Sequence, residues 1–262
     1  MELLTRVPEP ASAVAESAGG EGSEKCEKKG RVPLRIGVAS AQRGAGTSFI
    51  ASLIAFRAAE GKADVCLCEP AGSYFYAALG MDRRFVNREF EPLLRALEAK
   101  RPLRRIRNVE FGVNWLLRAP GELRPLSEAE LFRLIAMPPG DICVYDLSGL
   151  SGEALTGALA EMDSVALVFD PLPSKLIPAY GQAERLRLSF PDAVIVVDRM
   201  NKGVHRAELQ KYLGTRSFIS VPALPAESIY KAEYNCVPAA LQPENKKLLA
   251  GVCKELADKL GI

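Results

Sequence analysis

Four consecutive segments fix most of what this chain can become. Leu34-Arg35-Ile36-Gly37-Val38-Ala39-Ser40 is a short, mostly apolar run ending in small residues. Gln42 to Ser48 is a glycine-containing loop, and Phe49 to Ala59 is a largely apolar stretch of helical length that stops at Gly61. Ala63 to Glu69 is a second apolar run, broken by Pro70-Ala71-Gly72-Ser73. Short apolar runs bounded by turn residues read as buried strands, and the longer stretch between them reads as a helix. Strand, loop, helix and strand make a βαβ unit with parallel strands and a right-handed crossover.

The alternation continues to the end of the chain. Helices are expected over Phe90 to Lys100, Ser127 to Ala136, Gly152 to Met162, Ile177 to Leu188, His205 to Leu213 and Pro243 to Leu260. Strands are expected over Val109 to Leu117, Asp141 to Asp146, Ser164 to Asp170, Ala193 to Asp198 and Ser217 to Val221. Ser127 followed by Glu130 is a capping box, which marks a helix start. Continuously apolar strands separated by helices define a doubly wound α/β fold, its mainly parallel sheet covered by helices on both faces.

Composition bounds the rest. A chain of 262 residues suits one such domain with a tail. Residues 1–31 are rich in Glu, Ala, Ser, Gly and Lys with few bulky anchors, so a disordered N-terminal tail is expected before an ordered domain over 32–262. Charged residues at 25% and apolar residues at 48% exclude collagen-like, coiled-coil and wholly disordered chains. A formal net charge of +2 points to neither a basic nor an acidic partner. The single histidine, His205, rules out a multi-histidine metal site and is expected at the surface near a helix start. The six cysteines form no CxxC pair, so no structural metal is expected. Cys66, Cys68 and Cys143 lie in apolar runs and read as small buried hydrophobes. No apolar run approaches ~20 residues and Met1-Glu2-Leu3-Leu4 does not open a long apolar core, so a cytoplasmic location is expected.

A glycine loop between a first strand and a helix gathers backbone N–H groups on an anion, and the helix N-terminus adds partial positive charge. The loop here reads Ser40-Ala41-Gln42-Arg43-Gly44-Ala45-Gly46-Thr47-Ser48. It resembles the phosphate-binding loop of the ParA/MinD family of P-loop ATPases, G-K-G-G-x-G-K-[ST]. Gly44, Gly46 and Ser48 match. Ala41 replaces the first glycine, Gln42 stands at the signature lysine, Arg43 at the next glycine and Thr47 at the P-loop lysine. The resemblance extends over most of the chain from residue 34. Glu69-Pro70-Ala71-Gly72 resembles the D-x-D segment after the second strand, with Ala71 in place of the second acid. Gly140-Asp141-Ile142-Cys143-Val144-Tyr145-Asp146-Leu147-Ser148-Gly149 resembles the strand whose terminal acid lies near Mg²⁺. Val194 to Asn201 resembles the "v-V-x-N-r" segment, with Asp198 where an asparagine reads the adenine edge. Val221-Pro222-Ala223-Leu224-Pro225 resembles the segment beside the base.

The resemblance implies a nucleotide site made by Arg43, Gly44, Ala45, Gly46, Thr47, Ser48, Asp198 and Pro222. It implies ATP or ADP as ligand, with Mg²⁺ held by Ser48 and Asp146. No catalytic residue is assigned; Asp146 is the candidate. Lysine charge meets the negative charge that develops on the γ-phosphate, and losing one such contact typically costs roughly 10²–10³ in rate. With both lysine positions uncharged and Ala71 at the switch acid, a pseudo-ATPase acting as a positioning, switch or scaffold module is expected, with a protein partner or a second copy as its target. A weak Mg-ATPase using Arg43, Ser48 and Asp146 is the first alternative, and loss of any cofactor is its limit. The second alternative uses the stretch from Arg83 to Arg107, where nine Arg and Lys stand against three Glu, to touch DNA or an anionic membrane at the nucleoid or membrane periphery. The closing helix carries Leu248, Leu249, Val252, Leu256 and Leu260 at helical spacing, and this stripe reads as docking on the sheet.

Overall fold

The computed structural model describes residues 32–122 and 124–262. The tail expected over residues 1–31 lies outside the described residues. In chain order the elements are β1 (Leu34–Ala39), α1 (Thr47–Glu60), β2 (Val65–Cys68), α2 (Tyr74–Ala78), α3 (Met81–Arg84), α4 (Leu93–Glu98), β3 (Val109–Glu110) and β4 (Val113–Leu116). There follow α5 (Glu128–Ala136), β5 (Ile142–Asp146), α6 (Gly152–Ala160), β6 (Ser164–Phe169), α7 (Pro173–Ser189), β7 (Val194–Met200), α8 (Arg206–Leu213), β8 (Ile219–Pro222), α9 (Ala226–Tyr234) and α10 (Pro243–Leu260).

The strands form one sheet in the order β3-β4-β2-β5-β1-β6-β7-β8, parallel throughout except for the antiparallel β3–β4 pair. This is the doubly wound architecture expected from the alternation of runs. Side chains alternate between two apolar layers. Ile36, Val38, Leu67, Trp115, Val144 and Val196 belong to one layer, with Ile50 and Ile54 of α1 and Leu256 of α10. Cys66, Leu116, Tyr145, Leu167 and Val197 belong to the other, with Leu97 of α4, Leu134 of α5, Leu159 of α6 and Leu186 of α7. Cys66, Cys68 and Cys143 are free, fully buried thiols in that second layer, and burial pushes the Cys66 thiol well up. Leu249, Val252, Leu256 and Leu260 bury the stripe of α10 as expected, while Leu248 faces outward. Among the described residues no helix is long and apolar enough to cross a membrane.

Three of the expected segments differ in form or extent, and α2, α3 and α9 are helices that were not expected. The strand expected over Val109 to Leu117 is a hairpin, because Phe111 (φ 53°) and Gly112 (φ 77°) both take the left-handed conformation that a tight two-residue turn requires. The helix expected over Phe90 to Lys100 is confined to α4, because Pro92 holds the extended conformation before it and Lys100 turns left-handed (φ 52°) after it. The helix after β6 starts earlier than Ile177, with Pro173 in its first turn and Pro178 inside it. The capping box is formed: Ser127 accepts from the Glu130 N–H at 3.3 Å and Glu130 accepts from the Ser127 N–H at 2.9 Å.

Candidate functional site

The loop between β1 and α1 stands at the carboxyl ends of the central strands, where open α/β sheets present their ligand crevice. Register brings those ends level: Val38 pairs with Asp146, Ala39 with Leu167 and Phe169 with Val197. Each neighbouring strand delivers one buried acid there. Glu69 follows β2, Asp146 closes β5, Asp170 follows β6 and Asp198 lies in β7, all 5% exposed or less. The sequence marks Glu69, Asp146 and Asp198 as site positions; Asp170 stands in it only as the last residue of an expected strand.

Gly44 (φ 67°) and Gly46 (φ 92°) take left-handed conformations, so the loop turns as a glycine cradle does. Gln42, at the signature-lysine position, turns inward rather than toward a ligand. Its Nε2 donates to the Asp170 carbonyl at 3.3 Å, and its Oε1 accepts from the Asp170 N–H at 2.7 Å. Ala45 and Thr47 are buried, and Arg43 is exposed to solvent. Two cations that sequence reading did not assign to the site reach the loop from outside. Lys175 of α7 and Arg199 of β7 donate to the Gly44 carbonyl at 3.0 and 2.9 Å, and both also hold Asp170, at 2.8 and 2.5 Å. Burial alone would raise the Asp170 carboxyl; Lys175, the Leu172 N–H and Arg199 outweigh it and keep it below its ordinary value. The visible signal was two bases within motif segments that otherwise end in acids.

Asp146 keeps less support. Its Oδ1 accepts from the Ser148 N–H at 3.1 Å, while its buried Oδ2 has no hydrogen-bond partner. Burial raises its carboxyl, opposed by the hydroxyl of Ser48 and by Ser148. Ser48 and Asp146, predicted to act together, are therefore brought together. Asp198 packs against the loop itself: a Cβ on Gly46 would lie 2.1 Å from its Oδ2. Burial pushes the Asp198 carboxyl up to about 6, with Asp170 adding to the shift and Arg199 and Lys175 opposing it. Pro222 lies half-buried at the end of β8, paired with Met200 across an irregular register. Gly149 lets the chain after β5 approach the segment after β2, since a Cβ there would stand 2.7 Å from the Ala71 carbonyl oxygen.

Glu69 has a structural task. Its two carboxylate oxygens accept from the N–H groups of Tyr74 and Phe75 at 2.9 and 3.2 Å, capping α2. Burial, and next the Asp146 charge, push its carboxyl up to about 7. The folded chain thus holds a proton on Glu69 that the unfolded chain gives up near pH 4.5, so Glu69 withdraws stability as pH rises from about 4.5 to about 7. The full shift is worth about 3 kcal/mol. Urea unfolding of Glu69→Gln should show a flatter dependence over that interval, with the wild-type advantage at pH 5 shrinking or reversing at pH 7.5. Parallel curves would contradict this.

The basic stretch lies at the opposite edge of the sheet. The Leu93 N–H donates to the Leu117 carbonyl at the carboxyl end of β4, and the chain then descends to Arg107, 3.9 Å from Asp64 just before β2. Five of the nine cations stand beside carboxylates: Arg84 and Arg88 at Glu110, Arg95 at Glu89, Arg101 at Glu91 and Arg107 at Asp64. His205 is exposed and stands at the residue before α8, a surface helix start as expected.

Sheet order, loop placement and flanking helices together are those of the P-loop NTPase fold, in the form found in ParA and MinD proteins. A ParA family ATPase from Chlorobium tepidum TLS superposes with a TM-score of 0.67 at 15% identity, over 86% of this chain and 100% of that one. The MinD cell division protein of Aquifex aeolicus gives 0.65 at 16% identity, over 86% of this chain and 97% of that one. The septum site-determining protein MinD of Pyrococcus horikoshii OT3, complexed with Mg-ADP, gives 0.60 at 14% identity, over 87% and 99%. No family model and no curated protein matches the sequence.

Proposed function

We propose that this chain is a pseudo-ATPase of the ParA/MinD type, a positioning or scaffold module that engages a protein partner without hydrolysing ATP. The observation that carries this reading is the Gln42 side chain, spent on both backbone groups of Asp170 where the family places a lysine. Thr47 supplies no charge at the second lysine position, and Lys175 and Arg199 are held by Asp170 and the Gly44 carbonyl. The cradle therefore meets a phosphate with backbone N–H groups and the exposed Arg43, beside four buried acids. A partner protein, or a second copy of the chain, finds exposed apolar side chains beside the loop: Leu172, Ile177 and Tyr180 at the start of α7. The pairing of five of the nine cations in the basic stretch with four carboxylates favours a protein partner over DNA or an anionic membrane. A cytoplasmic location is part of the same proposal.

A weak Mg-nucleotide site is the second reading, favoured by the unpartnered Oδ2 of Asp146 beside Ser48. A hydroxyl and a carboxylate oxygen suit a hard cation that keeps its remaining ligands as water and phosphate. Ser48 and Asp146 would hold Mg²⁺, which supplies charge neutralisation between phosphates when bound. Among the described residues no group of three or more His, Cys, Asp or Glu forms a metal site of its own.

Phosphate release and thermal unfolding, each with millimolar ATP, ADP and Mg²⁺, separate the readings. The pseudo-ATPase reading expects no turnover above buffer and an unfolding temperature that nucleotide leaves in place. A rise with Mg-ATP that Ser48→Ala abolishes would establish the second reading. Steady turnover lost in Asp146→Asn would overturn the first.

A further inference from the structure

Beside the loop, α1, α2 and α9 enclose a cavity of about 220 Å³ that the proposed scaffold role does not use. Its walls include Phe49, Phe56, Phe75, Trp115, Leu224 and Ile229. An apolar cavity of ~150 Å³ accepts a benzene ring, so this one has room for a fused bicyclic ring. Ser52, Tyr74, Arg199 and Glu233 add polar groups to the lining, and one further wall is a buried acid. Asp198 lines the cavity at 5% exposure, and no side chain donates a hydrogen bond to its carboxylate. The nearest guanidinium nitrogen, Arg199 Nε, is 3.7 Å away. A buried carboxylate that keeps only a backbone N–H, here that of Arg199, loses more in hydration than it regains. A ligand that brings N–H groups to it regains that free energy, and aromatic walls favour a planar ligand.

We propose that this cavity binds a guanine-type base, a planar bicyclic heterocycle whose edge presents two adjacent N–H donors to the Asp198 carboxylate. A carboxylate is acceptor-only, so it pairs with a ring N–H and a neighbouring amino group together. Adenine instead presents an amino group beside a ring nitrogen lone pair, and one carboxylate oxygen would then face that lone pair. Sites built to hydrogen-bond one edge reject the mismatched edge strongly, since polar groups are left unpaired. The same chemistry is carried by a free nucleoside and by a nucleotide. Base recognition in the cavity does not depend on whether the β1–α1 loop hydrolyses anything.

Trp115 is the only tryptophan of the chain and forms part of the cavity wall, so its fluorescence reports occupancy. The full chain is titrated at neutral pH with guanosine, adenosine and GDP, exciting at the red edge where purines do not absorb. Guanosine should change the emission saturably and bind roughly tenfold or more tighter than adenosine. GDP tighter than guanosine identifies the nucleotide as the occupant, and equal affinities identify the nucleoside; both support the assignment. Asp198→Asn, of the same size, should lose the guanosine preference by roughly the same factor. The proposal is overturned if guanosine gives no saturable change, if adenosine binds equally well, or if Asp198→Asn leaves guanosine affinity unchanged. The wild-type comparison stands without the variant. Because guanosine carries no phosphate, its failure leaves the pseudo-ATPase reading standing, and ATP turnover would sink that reading alone.

Discussion

Trp115→Ala is expected to remove about 3–5 kcal/mol of stability, the range for emptying a fully buried large aromatic site. The indole is buried completely, with its ring centroid 5.2 Å from Phe75 and 6.0 Å from Phe56. Its Nε1 donates to the Glu110 carbonyl at 3.0 Å, tying the short β3 back onto the body. Truncation therefore removes three things at once: contact with α1, contact with α2, and the donor that anchors the hairpin. At about 2–4 °C per kcal/mol for a chain of this size, the unfolding temperature should fall by roughly 10 °C. Trp115→Phe keeps most of the volume and loses the bond to Glu110, for a cost of about 1–2 kcal/mol. Guanidinium unfolding of both variants at equal slope checks the ordering. A loss below about 1 kcal/mol for the alanine variant would show that the cavity collapses at little cost, against the packing described.

Gly46→Ala is expected to cost about 3 kcal/mol, from two sources that can be separated. A φ of 92° charges any L residue about 1–2 kcal/mol of backbone strain. The new methyl would also sit 2.1 Å from the Asp198 Oδ2 and 2.9 Å from its Cγ, which forces the carboxylate aside for a further 1–3 kcal/mol or about that. Asp198→Ala removes the overlapping atoms and leaves the strain. The double variant should thus recover about half of the loss, a coupling of about 1–2 kcal/mol in a double-mutant cycle. Strict additivity would mean that Asp198 does not press on the loop.

The framework of the fold was legible because each strand is an apolar run and each long helix carries a stripe or a cap. Pro243 to Leu260 matches α10, and Ser127 with Glu130 marks the start of α5. The short helices α2, α3 and α9 were not legible. Four and five residues give periodicity little to act on in α3 and α2, α2 is capped by Glu69 from outside its own sequence, and α9 buries only Ser228 and Ala232, so it carries no apolar stripe. The left-handed Phe111 that turns β3 into β4 is equally hidden, since nothing local marks a phenylalanine for that conformation.

At the site, the loop, Ser48 and Asp146 were visible as motif positions. What they do was not, because it depends on partners far along the chain. Gln42 and Asp170 are 128 residues apart, and the contact between them decides that position 42 offers a ligand no free polar arm. Lys175 and Arg199 meet at Gly44 only once β6 and β7 are side by side. Residue identity showed which charges were missing, and only the assembled sheet shows where the remaining ones went.

The paired bonds between Gln42 and Asp170 have a consequence for signalling. In a nucleotide switch the glycine loop is shaped by its cargo, so its geometry carries information about what is bound. Here the loop is stitched to the neighbouring strand by the chain itself. On the scaffold reading, a partner resting on this face reads a constant shape, and the variable it responds to is how many copies of the protein are present. Control then passes from chemistry at the loop to synthesis and turnover of the chain, a slower clock than phosphate hydrolysis.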